Sequence, residues 1–100
     1  MPTSWSELKS ERLASMTEIE RAEHDRAYAA AGLAAEVGER VREARETAGL
    51  SQRELARRMG TSQAAVVRLE GGGVGATLTT LQRVATALGL EVNVELRPSA

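Results

Sequence analysis

Apolar residues recur at helical spacing through most of the chain, and the pattern is most regular after Val37. Repeats of three or four residues place the apolar side chains of each segment on one face of a helix. Glycines at positions 49, 60 and 89 follow three of these segments, as expected for helix C-termini. The pattern predicts four short helices between residues 37 and 90. Val66 and Leu69 are predicted to point inward. The apolar residues that mark the four helices are Val37, Val41, Ala44, Leu50, Leu55, Ala56, Met59, Val66, Leu69, Leu78, Leu81, Val84, Ala85 and Leu88.

Three helix starts are marked by a hydroxyl residue that is followed three residues later by glutamate; they lie at Ser4, Thr17 and Ser51. In such a capping box the hydroxyl oxygen accepts a hydrogen bond from a backbone N–H of the first turn, and the glutamate accepts one from the cap residue. The boxes predict a short helix over Ser4–Leu13, a longer helix from Thr17, and a helix that begins directly after Ser51.

The helix from Thr17 has an unusual composition, because Tyr28 is its only large apolar residue between Ile19 and Leu33. The remaining apolar positions are alanines, which can bury little area at about 25 cal/mol per Å². We expect this segment to be a loosely docked spacer or to complete its burial on a partner. Gly32 and Gly38 are expected to bend it or to separate it from the following helix.

The C-terminal tail changes to a two-residue period, in which Val92, Val94 and Leu96 alternate with polar residues. This alternation is typical of a half-buried strand, and no other segment could pair with it. We expect the same strand of a second copy to be its partner; the alternative is a tail that lies extended on its own domain. The predicted fold class is therefore mainly α, with five to six helices and one C-terminal β-strand that pairs across a homodimer. Its predicted parts are residues 1–36, 37–90 and 91–97.

Charge is unevenly distributed along the 100 residues, although the formal net charge is only −1. Residues 1–36 hold four basic and seven acidic side chains, whereas residues 37–100 hold nine arginines and seven glutamates. The two parts are expected to have different partners. The chain has no cysteine, no apolar run long enough to span a membrane and no nucleophile–base pair. We therefore expect a soluble cytoplasmic protein that is not an enzyme and has no cofactor or metal.

The stretch from Leu50 to Gly72 reads as a capped helix, a tight glycine turn and a second capped helix. Gly60 can adopt the positive φ that the turn requires. The outer face of the second helix is predicted to present Gln63, Ala64, Val67 and Arg68. Glutamine can bond adenine, arginine can bond guanine, and a small apolar side chain can meet a thymine methyl group. These residue types suit a recognition helix in the major groove of DNA.

This stretch resembles the helix-turn-helix of the Cro and phage-repressor (Xre) family in its sequence at residues 50–56, 60–63 and 68–71. The resemblance implies base contacts from Ser62, Gln63, Ala64 and Arg68. It implies DNA phosphate contacts from Gln52 and Thr61, to which Arg45 and Arg53 are expected to add charge. Ala64 departs from the polar residue often seen at its position, which leaves the base preference there open.

The layout of the whole chain resembles the HigA-type antitoxins, which have an N-terminal arm with a tryptophan, an acidic helical segment, this helix-turn-helix and a valine-rich C-terminus. The resemblance implies a small basic partner, a RelE- or HigB-like mRNA-cleaving toxin, and repression of the protein's own operon. The arm residues expected to bind the toxin are Trp5, Leu8, Ile19, Glu23 and Tyr28. Two alternatives are a stand-alone phage-type repressor without a toxin, and an adaptor that holds protein and does not touch DNA.

Overall fold

The computed structural model describes residues 10–11, 17–73 and 76–99, and it contains four helices in that part of the chain. They are α1 (Glu18–Thr47), α2 (Gln52–Met59), α3 (Gln63–Glu70) and α4 (Leu78–Leu88). The chain divides into two compact units, Met1–Ala31 and Gly32–Ala100. The second unit holds the C-terminal part of α1 and the three shorter helices. None of the described helices is both long enough and apolar enough to span a membrane.

The predicted fold class is wrong in its helix count and in its strand. The described residues form a small all-helical fold, in which the two helices predicted from Thr17 and from Val37 are one helix. The predicted helix over Ser4–Leu13 lies outside the described residues except for Ser10 and Glu11, which have helical backbone.

The C-terminal tail is not a strand in the described part of the chain. Residues 91–99 have no regular secondary structure, and none of them forms a backbone–backbone hydrogen bond with another described residue. The predicted dimer strand of Val92, Val94 and Leu96 is therefore corrected to an irregular tail. Alternation of apolar residues favours a strand only where a neighbouring edge supplies hydrogen bonds, and this fold of helices offers no such edge.

The helix starts follow the predicted chemistry at both capping boxes within the described residues. The Glu20 N–H donates to Thr17 Oγ1 over 3.1 Å, and the Thr17 N–H donates to Glu20 Oε2 over 3.4 Å. At α2 the Glu54 N–H donates to Ser51 Oγ over 3.0 Å, and the Ser51 N–H donates to Glu54 Oε1 over 3.3 Å. Both predictions are confirmed; the box at Ser4 lies outside the described residues.

Gly32 and Gly38 do not interrupt α1, so the expected boundary there is wrong, and the expected bend stays a prediction. Gly38 is buried, and a Cβ atom built on it would lie only 2.5 Å from the carbonyl oxygen of Leu69. The glycine therefore permits close contact between α1 and the C-terminal end of α3. Gly32, in contrast, has open space around it, with nothing within 4 Å of such a Cβ atom.

The hydrophobic core lies where the end of α1 meets the three short helices. Leu55 of α2 is 0% exposed and Val66 of α3 is 1% exposed. The spacing of these residues predicted their inward orientation, and their burial confirms it. The other members of this core cluster are Val41, Ala56, Leu69 and Val84. The core holds α2 and α3 at a fixed angle, which fixes the outward face of α3.

Candidate nucleic-acid interface

A tight turn joins α2 to α3 and sets the direction of the second helix. Gly60 ends α2 with a φ of 69°, in the left-handed region that favours glycine, as predicted. The Thr61 N–H donates to the Ala56 carbonyl oxygen over 2.9 Å, which closes the turn. Ser62 then caps α3, because its hydroxyl oxygen accepts from the Ala65 N–H over 3.1 Å. The result is a helix, a turn and a helix packed on one core.

The outer face of α3 carries the side chains predicted for it. Val66 and Leu69 are buried against the core, whereas Gln63, Ala64, Val67 and Arg68 are all exposed. Val67 is 46% exposed, a high value for a valine beside a core. The predicted exposed face is thereby confirmed. Contact of these side chains and of Ser62 with base edges stays a prediction.

A largely buried ion pair joins Arg45 of α1 to Glu70 at the C-terminal end of α3. Arg45 Nε lies 2.7 Å from Glu70 Oε2, and Arg45 Nη2 lies 2.9 Å from Glu70 Oε1. The third nitrogen, Nη1, donates to the Leu50 carbonyl oxygen over 2.8 Å. The Arg45 side chain is 11% exposed and that of Glu70 is 3% exposed. The hydrogen bond that Arg45 donates to Glu70 raises the pKa of Arg45 above its ordinary value.

This pairing gives Arg45 a structural role. All three of its guanidinium nitrogens donate within the protein, so the side chain joins α1 to the end of α3. Two of its five N–H groups lie outside these bonds, and contact with a DNA phosphate stays a prediction. Gln52 belongs to the same network, because its Nε2 donates to Glu70 Oε1 over 3.2 Å. The side chain of Gln52 is half-buried, and its amide oxygen and second N–H take no part in the bond to Glu70.

Two other residues predicted to contact phosphate are placed differently. Thr61 is half-buried in the turn between α2 and α3. Arg53, in the first turn of α2, is exposed and has no ion pair with any described residue. Neither side chain takes part in the Arg45–Glu70 network. Their contact with phosphate stays a prediction.

Positive charge predominates on the three short helices. Residues 51–88 include five arginines and two glutamates, a net charge of +3, and Glu70 is neutralised by Arg45. The side chains of four of these arginines form no hydrogen bond or ion pair within the described chain; these are Arg53, Arg57, Arg68 and Arg83. Unpaired guanidinium groups beside an exposed polar helix face favour the approach of a polyanion.

The arm residues predicted to bind a toxin are described only in part. Ile19 is 72% exposed and Tyr28 is 69% exposed on α1, and Glu23 is exposed as well. Trp5 and Leu8 lie outside the described residues. Exposure of large apolar side chains is compatible with a docking surface, and the contact itself stays a prediction.

Glu70 and Arg83 are the residues near this face that the sequence did not single out. Glu70 is separated from Arg45 by 25 residues, so no local periodicity connects the two. Arg83 is exposed on α4, and its place in the sequence does not distinguish it from any other solvent-exposed arginine. Only the packing of α4 against the turn after α2 brings Arg83 near Thr61 and Arg68.

Comparisons with known proteins agree with this geometry. A family model described as helix-turn-helix matches residues 41–94. An uncharacterized HTH-type transcriptional regulator of Methanothermobacter thermautotrophicus is 41% identical over 51 residues, which cover 51% of this chain and 74% of that protein. The crystal structure of the restriction-modification controller protein C.AhdI from Aeromonas hydrophila is similar with a TM-score of 0.58 and 35% identity, over 60% of this chain and 91% of that one.

Proposed function

We propose, since the chain belongs to the helix-turn-helix family that it matches over residues 41–94, that it is a transcriptional regulator that binds double-stranded DNA sequence-specifically. The observation that carries this proposal is the exposed face of α3, where Gln63, Ala64 and Arg68 point away from a core that fixes their helix. Both matched proteins are named as regulators or controllers, which supports the same function.

In the proposed complex, α3 lies in the major groove of DNA. The long polar side chains at its exposed face reach base edges: Gln63 can bond an adenine in two places, and Arg68 a guanine. The side chains of Ala64 and Val67 suit contact with thymine methyl groups. Thr61, Gln52 and Arg53 lie on the turn or at the start of α2, where contact with the phosphate backbone would fix the register of α3.

The first experiment selects duplexes that the protein enriches from a random pool and measures their affinity at a stated salt concentration. Gln63→Ala and Arg68→Ala are each expected to cost about 1–3 kcal/mol on the selected duplex and to relax the preference at one position. Arg26→Ala is the matched control, since this exposed arginine lies on α1 and not on α3. If both α3 variants bind the selected duplex as tightly as wild type, the proposed recognition helix is wrong.

We propose that the regulator acts as a homodimer, without any pairing of strands. The support is an apolar groove of 480 Å³ lined by α1, α4 and the tail, including Leu33, Leu81 and Val92. Leu90 and Val94 at its border are 51% and 62% exposed, which would suit burial against a second copy. Sedimentation of wild type and of Val94→Asp tests this: a wild-type monomer at micromolar concentration would contradict the dimer.

We propose, more specifically, that the protein is an antitoxin that neutralises a small basic toxin and represses its own operon. The support is the resemblance of the chain's layout to HigA-type antitoxins, the acidic first 36 residues and the exposed Ile19 and Tyr28. The alternative is a stand-alone repressor of the same family. The two differ in one test, co-expression with the product of the neighbouring gene. The antitoxin proposal is supported if that product is a basic protein that copurifies with wild type but not with Ile19→Glu, and if Ile19→Glu still binds DNA.

A further inference from the structure

We infer that a notch between α3 and α4 binds one phosphate of the DNA backbone, through Arg83 and Thr80 of α4. The inference rests on the proposed function and extends it, because it adds α4 to the elements that contact DNA. The notch has a volume of 130 Å³ and lies beside the helix that carries Gln63. It therefore adjoins the face that the proposed function places against DNA.

Every polar side chain that lines the notch can donate a hydrogen bond, and none is acidic. The polar lining consists of two arginines, Arg68 and Arg83, and two threonines, Thr61 and Thr80. The remaining lining residues are apolar, so they cannot neutralise the two charges. Because both arginines line one small notch, their like charges raise its positive potential, and a bound anion offsets that charge. The composition of the notch therefore selects for an anion.

Both arginines keep their hydrogen-bond donors available. The side chains of Arg68 and Arg83 form no hydrogen bond or ion pair with a described residue, whereas those of Arg45 and Arg42 are both paired with glutamates. Guanidinium is charged at every physiological pH, and its planar set of N–H groups matches two oxygens of a phosphate. Of the two, Arg68 is expected to reach bases, so Arg83 is the side chain left for the phosphate.

The hydroxyl group of Thr80 can donate a hydrogen bond into the notch, because its oxygen acts as an acceptor in a pair with Thr77. The Thr80 N–H donates to Thr77 Oγ1 over 3.1 Å, and the Thr77 hydroxyl donates to Thr80 Oγ1 over 2.9 Å. The Thr80 oxygen is thus an acceptor in this pair, which leaves its own hydroxyl hydrogen to donate elsewhere. Since Thr80 also lines the notch, that hydrogen can be directed at an anion held there.

The test measures binding of a fluorescent duplex as a function of salt for wild type, Arg83→Gln and Arg26→Gln. Loss of one phosphate contact is expected to reduce the slope of log K against log salt by about 0.9, which is about eightfold in affinity at 0.1 M salt relative to 1 M. The loss is expected to be equal for the selected duplex and a random one. Arg26→Gln removes the same charge from an exposed position of α1, outside the notch. Unfolding curves verify that each variant is folded.

A second variant examines the hydroxyl group separately from the charge. Thr80→Val keeps the shape of the side chain and removes the donor, so we expect a roughly two- to tenfold loss of affinity without a change in the salt slope. A salt slope that falls in Thr80→Val as much as in Arg83→Gln would contradict the assigned division of roles.

The outcomes separate the inference from the proposed function. If Arg83→Gln behaves as Arg26→Gln while Gln63→Ala still loses the selected duplex, the phosphate notch is wrong and the proposed function stands. If wild type binds no duplex at all, the proposed function itself fails. A titration with inorganic phosphate, followed by the amide resonances of Thr80 and Thr61, identifies the source of the anion. Binding of inorganic phosphate that an added duplex does not displace would overturn the assignment to DNA.

Discussion

Substituting alanine for Gly38 examines how closely α1 approaches α3. A Cβ atom at this position would lie 2.5 Å from the Leu69 carbonyl oxygen and 2.7 Å from that of Glu70. A carbon and a carbonyl oxygen in favourable contact lie about 3.3 Å apart or more, so the end of α3 must move by roughly 0.8 Å. Both obstructing atoms belong to backbone, and a rotamer change cannot relieve the overlap. We expect Gly38→Ala to destabilise the fold.

The magnitude follows from a matched substitution in the same helix. Forcing an extra methyl group into a packed site costs about 1–3 kcal/mol. Replacing glycine by alanine inside a helix gains about 1 kcal/mol, and this gain is common to Gly38→Ala and Gly32→Ala. Since Gly32 has nothing within 4 Å of its Cβ position, its variant keeps the gain without the overlap. The two variants should therefore differ by about 1–3 kcal/mol in the free energy of unfolding.

The assay is urea unfolding of wild type and both variants, followed by circular dichroism at 222 nm. Gly32→Ala is expected to be as stable as wild type or more so, and Gly38→Ala to be the least stable of the three. A change of 1 kcal/mol corresponds to a shift in Tm of about 4–8 °C for a domain of this size, so thermal unfolding gives a second reading. Equal stability of the two variants would refute the close approach of α1 to α3.

Three other substitutions examine the core, the buried ion pair and the cap of α2. Leu55→Ala should cost about 3–5 kcal/mol in urea unfolding, since this side chain is 0% exposed. Arg45→Met leaves Glu70 buried without its partner and should lower the free energy of unfolding by about 3–5 kcal/mol. The double variant Arg45→Met/Glu70→Leu should recover most of that stability, and failure to recover it would contradict the pairing. Hydrogen bonds with the Ser51 side chain and backbone N–H lower the pKa of Glu54 below 4.5. The ionised Glu54 carboxylate therefore stabilises the folded protein above pH 4.5, and this stabilisation is lost as the pH falls through the lowered pKa. Unfolding midpoints measured over that acidic range should fall less steeply in Glu54→Gln than in wild type.

Local chemistry was sufficient to predict the boundaries of the short helices and the face that α3 exposes. The capping box at Ser51 and the glycine at position 60 involve residues within four positions of each other, so the sequence alone defines their geometry. The same holds for Val66 and Leu69, whose spacing places them on the inner face and leaves Gln63 and Arg68 outside. The family resemblance rests on these same local features.

The role of a residue was not predictable where it depends on a distant part of the chain. Glycine in a helical pattern indicates a bend or a stop by its propensity, yet Gly38 lies within an unbroken helix because the C-terminal end of α3 occupies the space of its missing side chain. Arg45 is an unpaired cation by local pattern, and only the fold brings Glu70 to it from 25 residues away.

The tail shows the same limit for β-structure. The alternation of Val92 and Val94 is a genuine period of two, but a strand exists only where a second backbone supplies its hydrogen bonds. The sequence by itself determined the helix caps, the turn and the exposed face of α3, because each depends on interactions within a few residues. Only the tertiary structure decided which helices are continuous, which charges are paired and what the tail becomes, because those outcomes depend on groups brought together by folding.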